Sequence, residues 1–232
     1  MFSIDDYFNK GFTLLELNPD IYNNFYSLLQ SENYVHDETR EEKRNIFSPD
    51  WDCEIPFRNI SYYENSIKYI EIISQLFRNR DEFNFWKSVY GNFDNYSIMI
   101  NKLLHNESMP WHWDGFDSTF LQILIYFGDL PNGIFKVGKL DRCTTTFNNE
   151  MPHYYPEKHF DAISEDAKFE IIFEIEPQPN QAIILNNLNP LFVHHITEIQ
   201  KNTPRYTIMC GCGFENNFSH NAFTYNTELF IH

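Results

Sequence analysis

Basic residues are scarce in this sequence. Over 232 residues, 17 Lys and Arg stand against 33 Asp and Glu, a formal net charge of −16. A surface that must neutralise phosphates is poorly served by that balance, so the composition argues against duplex binding and against anionic membranes. Cysteine is also sparse. Cys53, Cys143, Cys210 and Cys212 make no C-x-x-C pair and no zinc spacing, and four thiols in a chain of this length do not suggest a disulfide framework. There is no Gly-rich phosphate loop and no Ser-nucleophile motif. No apolar run approaches the roughly 20 residues that a membrane-spanning helix needs. The N-terminus, Met1-Phe2-Ser3-Ile4-Asp5-Asp6, lacks a basic stretch followed by an apolar one. The expectation is a reduced, soluble, cytoplasmic protein.

Apolar and aromatic residues, by contrast, are plentiful. They contribute 42% and 18% of the chain, which excludes a disordered acidic tail. The length fits one domain that buries roughly 70% of its unfolded surface. A short strand is predicted from Gly11 to Leu17. Asn18-Pro19-Asp20 then opens a helix whose Ile21, Phe25, Leu28 and Leu29 share one face. Residues 36–60 are polar and irregular. Helical spacing returns from Ser66 through Ile67, Ile70, Ile73, Leu76 and Phe77, with Phe83 to Tyr90 as a continuation.

The period then changes from helical to alternating. Strands are predicted at Tyr96–Leu104, Phe120–Phe127, Ile134–Leu140, Phe169–Ile175, Gln181–Leu185, Leu191–Ile196 and Tyr206–Phe214. Pro131-Asn132-Gly133, Pro177-Gln178-Pro179-Asn180 and Asn189-Pro190 mark turns between them. Strands this short with no helices between them suggest a sandwich or barrel. The polar segment 141–168 interrupts the series as an insertion. The expected division is a helical support region over 1–95, a β core over 96–214 and a tail over 215–232.

Met109-Pro110-Trp111-His112-Trp113-Asp114-Gly115 contains His-x-Asp, whose two side chains share one face of a strand and can meet one metal ion. The motif alone carries little weight, and His159-Phe160-Asp161 repeats it. A facial set of two His and one carboxylate binds Fe(II) and leaves positions open on the other side. The third ligand has to come from a distant strand, and Leu191-Phe192-Val193-His194-His195-Ile196 is the plausible source. Eleven residues past His194 comes Arg205, then Tyr206 and Thr207. A guanidinium fork with a hydroxyl on the same strand face suits a carboxylate.

In order and spacing these residues resemble the iron(II)/2-oxoglutarate-dependent dioxygenases, over roughly residues 96–214. The family pattern is His-x-Asp, a distal His, then Arg-x-Ser/Thr about ten residues on. The resemblance implies a mostly β protein with N-terminal helices, built on a double-stranded β-helix (jelly roll). It implies Fe(II) at His112, Asp114 and His194. It implies 2-oxoglutarate chelating the iron through its 1-carboxylate and keto oxygen, with its distal carboxylate on Arg205 and Thr207, and O2 as oxidant. Four predicted strands separate Asp114 from His194, as the family topology requires, and only two separate Asp161 from it. Only one of His194 and His195 can face the metal. The match of Ile196 to the family's branched position favours His194, whereas the usual interval of ten to Arg205 favours His195.

Further site candidates are weaker. Lys102 or Asn101 could reach the co-substrate from the strand before the metal pair. Trp113 and Arg142 are candidate substrate contacts, against core packing for the one and a surface ion pair for the other. Cys210 reads as core packing. Because Asp114 is present, the resemblance implies hydroxylation, desaturation or ring closure, and not halogenation. A small-molecule substrate such as an amino acid or biosynthetic intermediate is the first expectation. A peptide or protein residue is the second, and a non-catalytic jelly-roll binding protein the third. If Arg142, Lys102 or Lys136 faces the cavity, a carboxylated substrate follows; if none does, a neutral or cationic one.

Overall fold

A computed structural model describes residues 2–32, 35–36, 58–59, 66–77, 80–90, 93–113, 121–143, 168–186, 189 and 191–214. Helix α1 (Ile4–Lys10) starts where the Ser3 hydroxyl accepts from the Asp6 N–H at 3.1 Å, and it ends on Gly11 in the left-handed region at φ 77°. Strand β1 (Phe12–Glu16) follows. Helix α2 (Pro19–Ser31) begins as its sequence predicts, with Asn18 Oδ1 accepting from Asp20 N at 2.9 Å and a proline in the first turn. Two short strands, β2 (Val35–His36) and β3 (Arg58–Asn59), pair within the stretch read as irregular.

The helical pattern of residues 66–90 is not one helix. Helix α3 (Ser66–Phe77) and helix α4 (Asn84–Tyr90) are separated by a 3-10 turn, Asp81–Phe83. Arg80 precedes that turn in an extended conformation, and its guanidinium donates to Glu16 O at 2.8 Å. The break lets Phe77, Phe83 and Trp86 fill one cluster.

The remaining strands are β4 (Phe93–Leu103), β5 (Met109–His112), β6 (Leu121–Phe127), β7 (Phe135–Leu140), β8 (Phe169–Ile175), β9 (Gln181–Leu185), β10 (Phe192–Ile196) and β11 (Arg205–Phe214). They form two antiparallel sheets, ordered β1-β9-β6-β11-β4-β3-β2 and β5-β10-β7-β8. From β4 to β11 the chain alternates between the sheets, apart from the step from β7 to β8 within one sheet, so the two sheets wind as a double-stranded β-helix.

Strand alternation divides the apolar residues into two cores. Ile123, Ile125 and Phe127 of β6, with Tyr206, Ile208 and Cys210 of β11, pack against the helices. Leu124 and Tyr126 of β6 meet Phe135, Val137, Phe192 and Ile196 in the space between the sheets. Tyr22 of α2 ties the helical layer to the larger sheet, its hydroxyl donating to Tyr126 O at 2.7 Å. Burial of that hydroxyl, with Tyr26 nearby, pushes its pKa well above the ordinary tyrosine value.

Candidate active site

Strand β5 carries one more residue than the stretch of β10 it faces. His112 pairs with His194, but Met109 pairs with Ile196, so three steps on one strand match two on the other. Such a bulge re-aims side chains. It sends both Met109 and His112 into the inter-sheet space, where strict alternation would allow only one of them. The His112 and His194 rings lie 4.1 Å apart between centroids, and each residue is only 4% exposed. Phe135 closes one side, 5.9 Å from the His194 ring.

The neighbours of the two histidines take the opposite face. Trp111 stacks on His195 at 5.1 Å and 26°, and meets Phe169 edge-on at 4.8 Å. Gly138 leaves room for Phe169, since a Cβ there would lie 2.0 Å from the ring. His195 is therefore turned away from His112. Burial, which outweighs a backbone hydrogen bond at Met109, pushes its pKa down to about 4, and it is neutral at pH 7. The structure brings His194, and not His195, opposite His112. Asp114, His159 and Asp161 lie outside the described residues. Among the described residues, no three His, Cys, Asp or Glu side chains group around a metal position.

Arg205 opens β11 and is completely buried. Its Nη1 donates to Asn132 O at 2.8 Å, and its guanidinium carbon sits 5.1 Å from the centre of the Tyr126 ring. Among the described residues, Nε and Nη2 have no hydrogen-bond partner and no carboxylate pairs with the group. Burial lowers its pKa to about 10, with Tyr126 opposing the shift, so the group stays cationic at neutral pH. A buried, half-satisfied cation is costly, and such a group calls for an anion.

The Pro131-Asn132-Gly133 turn, which the sequence shows only as a turn, lies against Arg205. Asn132 Oδ1 accepts from Gln200 N and Lys201 N, both at 3.0 Å, which holds its carbonyl toward Arg205. Gly133 has φ 81°, and a Cβ there would come within 2.7 Å of Arg205 Nη1.

Thr207 and Asn101 are paired across β11 and β4. Both are buried, and Thr207 Oγ1 and Asn101 Oδ1 lack partners. Asn101 Nδ2 is 3.6 Å from Met209 Sδ, on the inter-sheet side. Lys102 must be corrected. It pairs with Tyr206, and its ammonium lies 5.8 Å above that ring, on the helical side of the sheet. Alternation gives the inward position to Asn101. Trp113 is 3% exposed, and alternation puts it on the face opposite His112. Arg142 is exposed. Lys136 is paired across strands with His195, on the outer face, and its ammonium binds Glu174.

The fold is that of the double-stranded β-helix proteins, among them oxygenases that use iron and 2-oxoglutarate. SnoN, a non-heme alpha ketoglutarate dependent epimerase from nogalamycin biosynthesis, is similar over 90% of this chain and 81% of its own, with a TM-score of 0.57 and 9% identity. A Pseudomonas putida prolyl-4-hydroxylase gives a TM-score of 0.49 at 12% identity, over 91% of this chain and 97% of its own. A 2OG-Fe(II) oxygenase family oxidoreductase from Burkholderia pseudomallei gives the same two values over 92% and 89%. At these identities the likeness is one of fold. No family model and no curated protein sequence matches the chain.

Proposed function

We propose that this chain is a non-haem Fe(II)- and 2-oxoglutarate-dependent dioxygenase. The observation that carries the reading is Arg205: a buried cation with two unsatisfied donor atoms, in the same inter-sheet space as the facing pair His112 and His194. A dicarboxylate co-substrate supplies the missing anion. Two neutral imidazoles brought together with a carboxylate form an iron-binding donor set.

His112 and His194 would hold the metal, with Asp114 as the third ligand. When bound, Fe(II) supplies the redox chemistry by which O2 converts 2-oxoglutarate to succinate and CO2 and oxidises a substrate C–H bond. The chain positions the reactants. Arg205 receives the distal carboxylate through Nε and Nη2, and Thr207 Oγ1 donates to the same group. The Tyr126 ring holds the guanidinium from one face. Apolar side chains from both sheets, including Leu124, Phe135 and Val137, exclude water and strengthen that charge pairing.

Hydroxylation is the default outcome, with desaturation or ring closure as variants, and a small molecule is the preferred substrate. The unsatisfied Arg205 weighs against a non-catalytic binding protein. No helix of the described residues is long and apolar enough to cross a membrane, and the free thiols Cys143 and Cys210 suit the cytoplasm. The test is succinate release with Fe(II), 2-oxoglutarate and O2 over a panel of amino acids and peptides. Turnover that requires all three components is expected, with the free small molecules preferred. Turnover of peptides alone would move the reading to a protein residue. Absence of any 2-oxoglutarate consumption would reject the reading.

A further inference from the structure

Several cations among the described residues are neutralised locally. Lys10 pairs with Asp6, Arg80 with Glu82, Lys136 with Glu174 and Lys201 with Asp129. Lys139 has no such partner among the described residues. Glu170 stands directly across from it on β8, yet the two do not form an ion pair. Lys139 is half-buried near the end of β7. Its ammonium lies 5.6 Å above the ring of Phe192, its cross-strand partner. Phe192 belongs to the inter-sheet core, so Lys139 is on the inward face, unlike Lys136.

The platform beneath it is fixed. A Cβ on Gly11 would lie 2.3 Å from Phe192 Cγ, so the ring occupies space that only glycine leaves open. The order along β10 is Phe192, His194, Ile196, and Lys139 stands opposite the first of these. Arg205 lies past the last, with Nη1 against Gly133 in a corner shared with Thr197 O. Among the described residues, the two inward cations without a carboxylate partner are thus at opposite ends of the strand that carries His194. Lys139 is roughly 7 Å along the strand from the His194 row, at about 3.4 Å per residue.

We propose that Lys139 receives an anionic group, a carboxylate or a phosphate, of the substrate to be oxidised. The proposal rests on the dioxygenase reading above and adds the substrate class. Arg205 serves the co-substrate at one end, and Lys139 anchors the substrate at the other, with the His112/His194 pair between them. Lys136, Lys102 and Arg142 face the outer sheet surface, the helices and solvent, so those three alone lead to a neutral or cationic substrate; Lys139, which the sequence alone does not single out, reverses that expectation. An ammonium is a strongly hydrated point charge, and the Phe192 ring limits how many waters surround it.

The experiment uses the full chain, loaded anaerobically with Fe(II) and 2-oxoglutarate. Its ligands are matched pairs: L-amino acids with their primary amides, and phosphate monoesters with their parent alcohols. Calorimetry measures affinity, and succinate release after admission of O2 measures turnover. At least one carboxylate or phosphate should bind tenfold or more tightly than its neutral partner. Lys139→Gln should remove about that preference and Lys139→Arg should keep most of it, because a charged hydrogen bond is lost in one and retained in the other. The affinity for 2-oxoglutarate should be the same in all three proteins. Carboxylate pairs responding without phosphate pairs, or the reverse, identifies the group. The proposal is overturned if no anion binds better than its neutral partner, or if Lys139→Gln keeps the preference. If the wild-type chain binds no 2-oxoglutarate, the dioxygenase reading itself has failed.

Discussion

His112 and His194 face each other across β5 and β10 with their ring centroids 4.1 Å apart, because β5 bulges by one residue between Met109 and His112. The same bulge puts Trp111 on the outer face against His195. His112→Ala or His194→Ala should therefore abolish tight Fe(II) binding, and His195→Ala should leave it within a few-fold of wild type. Calorimetric metal titration under anaerobic conditions distinguishes the three. Loss of metal binding in His195→Ala with retention in His194→Ala would reverse the ligand assignment.

Arg205 makes a prediction of opposite sign for stability and for binding. Its pKa is lowered by burial, so its charge penalises the folded state at neutral pH, and deprotonation relieves that penalty only above about pH 10. Near pH 7 only an anion can relieve it. Arg205→Met should leave the ligand-free protein as stable as wild type or more so, because an apolar side chain replaces an unpaired buried charge. It should weaken 2-oxoglutarate binding by roughly a hundredfold, within the range for a lost buried charge pair. Thermal unfolding against 2-oxoglutarate concentration reads both effects.

Gly133→Ala tests the packing around the same guanidinium. The φ of 81° disfavours any Cβ, and the 2.7 Å approach to Arg205 Nη1 forces the guanidinium to move. A stability loss of about 1–2 kcal/mol is expected from the backbone alone. Affinity for 2-oxoglutarate should fall further than affinity for Fe(II), because the displaced group is Arg205 and not a histidine. Denaturant unfolding and the two titrations check the pattern.

How far the sequence carries depends on what each feature leaves in the residue string. Strands β8 and β9 are readable to the residue, since apolar β-branched runs bounded by Pro177 and Asn180 have a local cause. Helix α1 is not readable, because seven residues are too few to display a helical period. The bulge in β5 has no compositional mark; it exists only in the pairing with β10. Whether Lys102 or Asn101 faces inward is hidden for a related reason. Strand alternation turns a one-residue shift into the wrong face, and the register against Thr207 decides it. That Arg205 meets no carboxylate among the described residues is likewise a property of packing, although its spacing from His194 is legible in the sequence.

Trp111 supports the His112/His194 pair from outside. Stacked on His195 and set against Phe169, it holds β5 onto β10 next to both histidines. Trp111→Ala should lower Fe(II) affinity by roughly tenfold, in the lower part of the range for residues that orient metal ligands. Trp111→Phe keeps a stacking ring and should recover most of it. Equal affinities in the two variants would mean that the stack contributes only to stability.

The most direct measurement of the central claim is an anaerobic titration of the metal-free chain, first with Fe(II) and then with 2-oxoglutarate, followed by visible absorption. A charge-transfer band should appear only after both are added, should disappear in His112→Ala, and should need far more 2-oxoglutarate in Arg205→Met. Failure of the wild-type chain to bind Fe(II), or a band of equal 2-oxoglutarate dependence in Arg205→Met, would overturn the roles given to His112, His194 and Arg205.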